Sequence, residues 1–264
     1  MRVSELWIYP IKSCGGIGVT RARVGKTGFD LDRAWMIVKA EKMLTQRENP
    51  KLAEVRTSFD DDLVKIDGPG GVLLLDPKRD PTHASFRTEV WDDVVEVVEE
   101  SKEASQYFSE TLGQTVQLVR LAKHRDRKRS KPRVQAAEFK VGFADSAPFL
   151  LTNQRSLAAL QREIMGTLPM NRFRPNIVIE GKEAYEEDRW KSIQIGAIRF
   201  SGIYACDRCV VTTVDQATGV ATGPEPLRAL SQSRKIDNEV FFGVRLIHEN
   251  EGEIAVGDRL SLLA

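Results

Sequence analysis

At 264 residues the chain is long for one domain and suits two. Hydrophobic residues make up 41% and charged residues 29%, a globular balance that excludes a disordered or fibrous chain. Thirty-nine Lys and Arg against 38 Asp and Glu leave a formal charge of +1, so no net field points to nucleic acid or an anionic membrane.

The first ~115 residues read as short strands between turns. Val3–Tyr9 alternates and stops at Pro10, and Ala34–Ala40 is β-branched and aromatic. Val55–Phe59 and Leu63–Ile66 flank Asp60-Asp61-Asp62, and Arg87–Trp91 and Val94–Val98 flank Asp92-Asp93, so both pairs predict hairpins. Gly68-Pro69-Gly70-Gly71 turns the chain into a strand at Val72–Leu75. Ala104–Leu112 keeps helical spacing, with Gly113 placed to stop it. A domain boundary is expected there, giving units 1–115 and 116–264.

Beyond it, Val116–Leu121 predicts a strand and Lys123–Arg133 a charged loop. Thr152 or Asn153 caps a helix over Arg155–Met165, where Leu157, Leu160 and Ile164 share a face. Strands follow at Asn176–Ile179, Ile193–Ile195, Ile198–Ser201 and Cys209–Val214, and Gly223-Pro224 opens a short helix through Leu230. Glu253–Leu263 closes as two short strands about Gly257-Asp258. The expected fold is mainly β with some helices.

Glu89–Glu103 carries seven acids and one base, and Lys123–Arg133 seven bases and one acid. The basic block reads as a solvated loop facing the acidic one, or as an anion-binding loop; no nucleic-acid-binding motif accompanies it. No signal-peptide pattern precedes Val3 and no apolar run reaches the ~20 residues of a membrane span, so a soluble, cytoplasmic protein is expected.

The chemistry concentrates elsewhere. The chain has three cysteines, Cys14, Cys206 and Cys209, and His83, His124 and His248 stand too far apart for a histidine-rich metal motif. Cys206-Asp207-Arg208-Cys209 admits a structural zinc site, a redox dithiol, a pair of buried structural cysteines, or one thiolate on a soft metal whose other ligands come from a cofactor. Spacing alone leaves these open. Lys12-Ser13-Cys14-Gly15-Gly16 has the ingredients of a phosphate cradle. Arg33 starts a strand, and Arg172-Phe173-Arg174-Pro175-Asn176 sets two guanidinium forks and an amide before another.

Taken in order, YPIKSCGG, LDRAW, ADSAP, RFRPN, ACDRCVVTTVD and EIAVGDRL resemble the MOSC family over essentially the whole chain, with its β-barrel partner domain in front. The resemblance is closest to the branch containing the mitochondrial amidoxime reducing component and bacterial proteins that reduce N-hydroxylated bases. It implies a MOSC β-barrel preceded by a smaller β-rich barrel, and a molybdenum cofactor (Mo-molybdopterin) between them. A pyridoxal-phosphate-binding label is a secondary association of the same resemblance. Cys209 would be the metal ligand, with Cys206 supporting. Lys12, Ser13, Arg33, Arg172, Arg174, Asn176 and Asp207 would hold the pterin and its phosphate, and Arg208 and Asp145 would serve the chemistry, Arg208 also touching the cofactor. Relatives often carry a hydroxyl residue where this chain has Ala147, and Ser146 takes that role here.

The implied activity is reduction of small N-hydroxylated or N-oxygenated compounds. No iron–sulfur cysteine set or dinucleotide motif appears, so electrons are expected from a separate flavin or iron–sulfur partner. The competing reading is a molybdopterin or persulfide carrier without turnover. A third is a metal-free barrel binding a polyanion through Lys123–Arg133.

Overall fold

The computed structural model describes residues 1–122, 127–131 and 136–263. Strands dominate, as expected, and organise into one large sheet, one closed barrel and three small sheets. Among the described residues three α-helices cover them: α1 (Lys102–Leu112), α2 (Gln154–Ile164) and α3 (Leu227–Ser233).

The nine-stranded sheet runs Ile17–Val19, Arg2–Ile8, Ile177–Glu180, Phe149–Asn153, Glu239–His248, Ile198–Asp207, Ile193–Ile195 and Leu260–Leu262, with Lys235–Ile236 added beside Glu239–His248. It curls until Arg2 bridges Arg259, just before the last strand. Phe149–Asn153 and Ile177–Glu180 pair in parallel, which requires a crossover, and α2 supplies it. Asn153 caps α2 by accepting from the Arg155 N–H. Within this sheet's core Phe149 meets Phe29 and Phe200 edge to face, with ring centroids 4.9 and 5.4 Å away.

The closed barrel comprises Trp35–Lys39, Lys42–Met43, Ser85–Val90, Asp93–Glu99 and Gln117–Leu121. A second core lies under it, where Trp35, Ile37 and Leu118 pack with Phe108 of α1. Ser101 caps α1 through the Ala104 N–H, and Gly113 ends it in the left-handed region at φ +63°. Sheet membership crosses residue 115 in both directions. Gln117–Leu121 closes the barrel, whereas Arg2–Ile8 and Ile17–Val19 join the large sheet.

Several sequence expectations are corrected. Ile198 continues as a strand to Asp207, and Val210–Thr213 is a 3-10 turn where a strand was expected. The last helix starts at Leu227, after Pro226 instead of Pro224. Gly252–Ala255 and Leu260–Leu262 pair with Arg21–Gly25 and Ile193–Ile195, not with each other. The expected charged loop Lys123–Arg133 lies partly outside the described residues; within it, Arg127–Lys131 is a strand paired with Ala136–Val141. Arg127 and Arg129 each bind Asp93 at 2.7 Å, so part of the basic block does face the acidic one.

The two hairpins expected in the first half form, but one turn moves. Asp60 pairs with Leu63, leaving Asp61-Asp62 at the tip. Val90 pairs with Asp93, so the second tip is Trp91-Asp92.

Candidate active site

A cavity of ≈ 410 Å³ opens where the large sheet, the loop after the first strand and the Trp91 hairpin tip meet. Of the eleven residues singled out from sequence, ten line it: Lys12, Ser13, Arg33, Asp145, Ser146, Arg174, Asn176, Asp207, Arg208 and Cys209. Residues separated by nearly 200 positions therefore converge. Seven cationic side chains line the cavity among the described residues, against Asp92, Asp145 and Asp207, so its field favours an anion.

The floor is built by the end of strand Ile198–Asp207. Cys206 is buried, and its sulfur accepts from Arg208 Nη1 at 2.9 Å. Arg208 also donates to the Phe173 carbonyl at 2.7 Å, while its Nε is buried without a partner. The chain then turns outward and Cys209 caps the 3-10 turn Val210–Thr213, its carbonyl accepting from Thr212 N and Oγ1. Cys209 thus presents a partly exposed thiol to the cavity, whereas Cys206 is held behind it. Cys14 belongs to the second core, where burial pushes its thiol up to about 12. Among the described residues no group of three or more His, Cys, Asp or Glu converges to hold a metal ion.

One wall is a stack of arginines. Tyr9 lies between Arg33 and Arg174, with each guanidinium 4.4 Å from its ring centroid. Arg33 Nη1 donates to both carboxylate oxygens of Asp32, at 2.7 and 2.6 Å. Arg174 donates to Gln216 Oε1 at 3.3 Å, and its Nη2 is buried with no partner. Burial, with Arg33 close by, lowers the Arg174 guanidinium to about 10, so it stays cationic at neutral pH. Ser13, Arg33 and Arg174 hold φ of +71°, +48° and +55°. Three expected anchors in the left-handed region are the kind of backbone strain that gathers at binding sites.

Lys12 is the other buried cation, its side chain 7% exposed. Its Nζ donates to the Phe143 carbonyl at 2.9 Å and to Asp145 Oδ1. Asp145 keeps 55% of its side chain exposed to the cavity. Partial desolvation opposes its ionisation, but the charge and hydrogen bond of Lys12, the indole N–H of Trp91 and the charge of Arg245 hold it well below the usual carboxylate range. Ser146, buried, is fixed from behind by the Tyr204 hydroxyl, which donates to its carbonyl at 3.1 Å.

Two expected residues act differently. Arg172 does not line the cavity. Its guanidinium donates to the Thr213 carbonyl at 2.7 Å, to Asp215 at 3.1 Å and to Thr222, so it braces the 3-10 turn carrying Cys209. Asn176 lines the cavity, but its amide bridges strands, accepting from Leu150 N and donating to the Trp7 carbonyl, both at 3.2 Å. Sequence reading missed Arg47, Trp91 and Arg245, which also line the cavity, as does Arg129 of the basic block for which an anion-binding loop was one reading. Arg245 pairs with Asp207 at 2.7 Å. No helix among the described residues is long and apolar enough to cross a membrane.

Comparison with known proteins matches the chain to a family. The model of the MOSC N-terminal beta barrel domain matches residues 1–115, and that of the MOSC domain matches residues 138–261. Mitochondrial amidoxime reducing component 2 of Bos taurus is 33% identical over 97% of this chain and 81% of its own length. The chain belongs to the MOSC family. Human mitochondrial amidoxime-reducing component 1 is likewise 33% identical, over 99% of this chain and 82% of its own. A further MOSC relative, molybdenum cofactor sulfurase of Arabidopsis thaliana, is 28% identical over 98% of this chain, which spans 35% of that longer protein. The MOSC match at residues 138–261 contains Cys209, Asp145 and Arg174, while Lys12, Arg33 and Trp91 come from the residues matched by the N-terminal model.

Proposed function

We propose that this MOSC protein binds a molybdenum–pterin cofactor and reduces N-hydroxylated or N-oxygenated compounds with electrons from a separate flavin or iron–sulfur protein. The observation that carries the reading is the partly exposed Cys209 lining a strongly cationic cavity that the ionised Asp145 also lines. The residues fit such a group. Arg174 Nη2 and Arg208 Nε are buried donors without partners, which an anionic, hydrogen-bonding ligand would satisfy. The names of the bovine and human relatives, amidoxime reducing components, support the reaction class.

In this reading Lys12, Ser13, Arg33 and Arg174 hold the phosphate and pterin, Asp207 and Arg208 orient the group from the floor, and Cys209 is its one protein ligand. When bound, the group supplies a metal that removes oxygen from an N–O bond in a two-electron exchange. The protein's own part is to seat the anion, position the Cys209 sulfur and present the ionised carboxylate of Asp145 to the cavity. Asn176 contributes mainly by holding Leu150 and Trp7 in place, its amide being engaged there. Lys12, the one lysine among the described lining residues, is paired with Asp145 rather than poised as a Schiff-base amine, so pyridoxal phosphate is not part of the reading. The units 1–115 and 116–264 are taken as the two sides of the cleft, with Gln117–Leu121 and Arg2–Ile8 exchanged between them, and the location as cytoplasmic.

A second reading, a carrier of molybdopterin or of a Cys209 persulfide, is favoured by the molybdenum cofactor sulfurase relative. Turnover separates the two. Protein from a host that makes the cofactor should reduce a hydroxylamino compound with an artificial electron donor. Cofactor present with no turnover over a panel of such substrates would favour the carrier.

A further inference from the structure

Trp91 is in the wrong place for its residue type. It is the first residue of a two-residue hairpin tip and holds φ +57°. Such positions suit Gly, Asn or Asp, because a bulky side chain crowds the backbone there. The neighbouring hairpin shows the ordinary solution, with Asp61 at φ +50°. A tryptophan at such a position is strained, which directs attention to what its side chain does.

The side chain reaches across the cleft. Its indole Nε1 donates to Asp145 Oδ1 at 3.0 Å, the same oxygen that Lys12 binds. No hydrogen bond from a described residue reaches Asp145 Oδ2, and the side chain is half exposed to the cavity. The ring is steadied by Arg47, whose guanidinium lies 4.2 Å from its centroid, with Lys12 Nζ at 5.7 Å. Two donors on one oxygen restrict the carboxylate's rotation and leave the other oxygen free of hydrogen bonds from described residues.

We infer that Trp91 is the positioning residue for Asp145: its N–H, and not its bulk, holds the carboxylate so that Oδ2 faces the reacting ligand. The inference rests on the reading of Asp145 as the ionised carboxylate that serves the site's chemistry. It also gives the barrel hairpin a direct part in a site otherwise built by the large sheet and the loops that cross it.

The test uses the full chain labelled with 15N and follows indole N–H resonances of Trp7, Trp35, Trp91 and Trp190, with Trp91→Phe assigning the relevant peak. Asp145→Asn should displace the Trp91 indole resonance and leave that of Trp35, which donates to Glu100, in place. Turnover per bound molybdenum is then compared in Trp91→Phe and Trp91→Ala. Both should fall by a similar factor, roughly tenfold or more, as expected when a carboxylate at the reacting site loses its orientation. KM should move less than kcat, and the melting temperature of Trp91→Phe should stay near wild type. An unmoved indole resonance in Asp145→Asn would overturn the inference. So would full turnover in Trp91→Phe, which would make the ring a packing element, or a loss of cofactor content with turnover per molybdenum unchanged. If the wild type itself turns nothing over, the reductase reading fails while the resonance measurement still decides whether Trp91 holds Asp145.

Discussion

Replacing Arg174 by Met separates what the fold needs from what the ligand needs. The substitution removes a 3.3 Å hydrogen bond to Gln216 and the guanidinium stack on Tyr9, together worth about 1–2 kcal/mol. It also removes Nη2, which is buried without a partner and stands for a penalty of about 1–3 kcal/mol. It relieves repulsion too, since Arg33 faces Arg174 across the same ring. The Met stem retains most of the aliphatic packing. These terms offset, so the cofactor-free variant should melt within about 4 °C of wild type, given ~2–4 °C per kcal/mol for a chain of this size. Against an anionic ligand the balance reverses. One charge-assisted hydrogen bond is lost, about 1.5–3 kcal/mol, or roughly ten- to a hundredfold in retention. Differential scanning fluorimetry of the cofactor-free protein and molybdenum per chain after extensive dialysis measure the two sides. A melting temperature lower by more than about 10 °C, with molybdenum retained as in wild type, would refute the assignment and make Arg174 a structural residue.

Arg172→Met should do the opposite. It breaks a mostly buried pair with Asp215 and frees the Thr213 carbonyl, so chemical denaturation should show a loss of about 3 kcal/mol, with the Cys209 turn disordered. Cys206→Ser should keep most metal and activity, because Cys206 is buried and engaged by Arg208; equal loss in Cys206→Ser and Cys209→Ser would contradict a single protein ligand. Asp145 has its carboxyl held below the ordinary value, so the stability it draws from Lys12 is fully present above about pH 4 and is lost as pH falls through the depressed value. The stability difference between wild type and Asp145→Asn should therefore be flat from about pH 5 to 8 and shrink only in acid; a change near neutrality would contradict the pairing.

Much of the fold was legible because local chemistry and global structure agree. Asp61-Asp62 makes a turn, Asn153 caps a helix and Gly113 ends one, each for reasons carried by the residue itself. Ten of the eleven residues named from sequence line one cavity, and their motifs are distinctive, although nothing in spacing says that Lys12 meets Asp145. The misses have physical causes. Phe149–Asn153 lies with four of its five residues buried and so lacks the alternation that marks a strand, and Glu239–His248 is interrupted by Gly243 at φ +74°. Overlooking that last strand also hid Arg245. Val210–Thr213 has β-branched residues, yet Arg172 draws in the Thr213 carbonyl and the segment tightens into a 3-10 turn. Trp91 escaped notice because its role depends on a one-residue register choice in a hairpin.

The most direct test of the central claim is the molybdenum and pterin content of purified wild type and Cys209→Ser, measured by elemental mass spectrometry and pterin oxidation on the same samples. The account predicts near-stoichiometric molybdenum and pterin in wild type, and in Cys209→Ser a marked loss or altered binding of the metal with the fold intact. Neither molybdenum nor pterin in wild type from a competent host, or metal held unchanged by the serine variant, would contradict it.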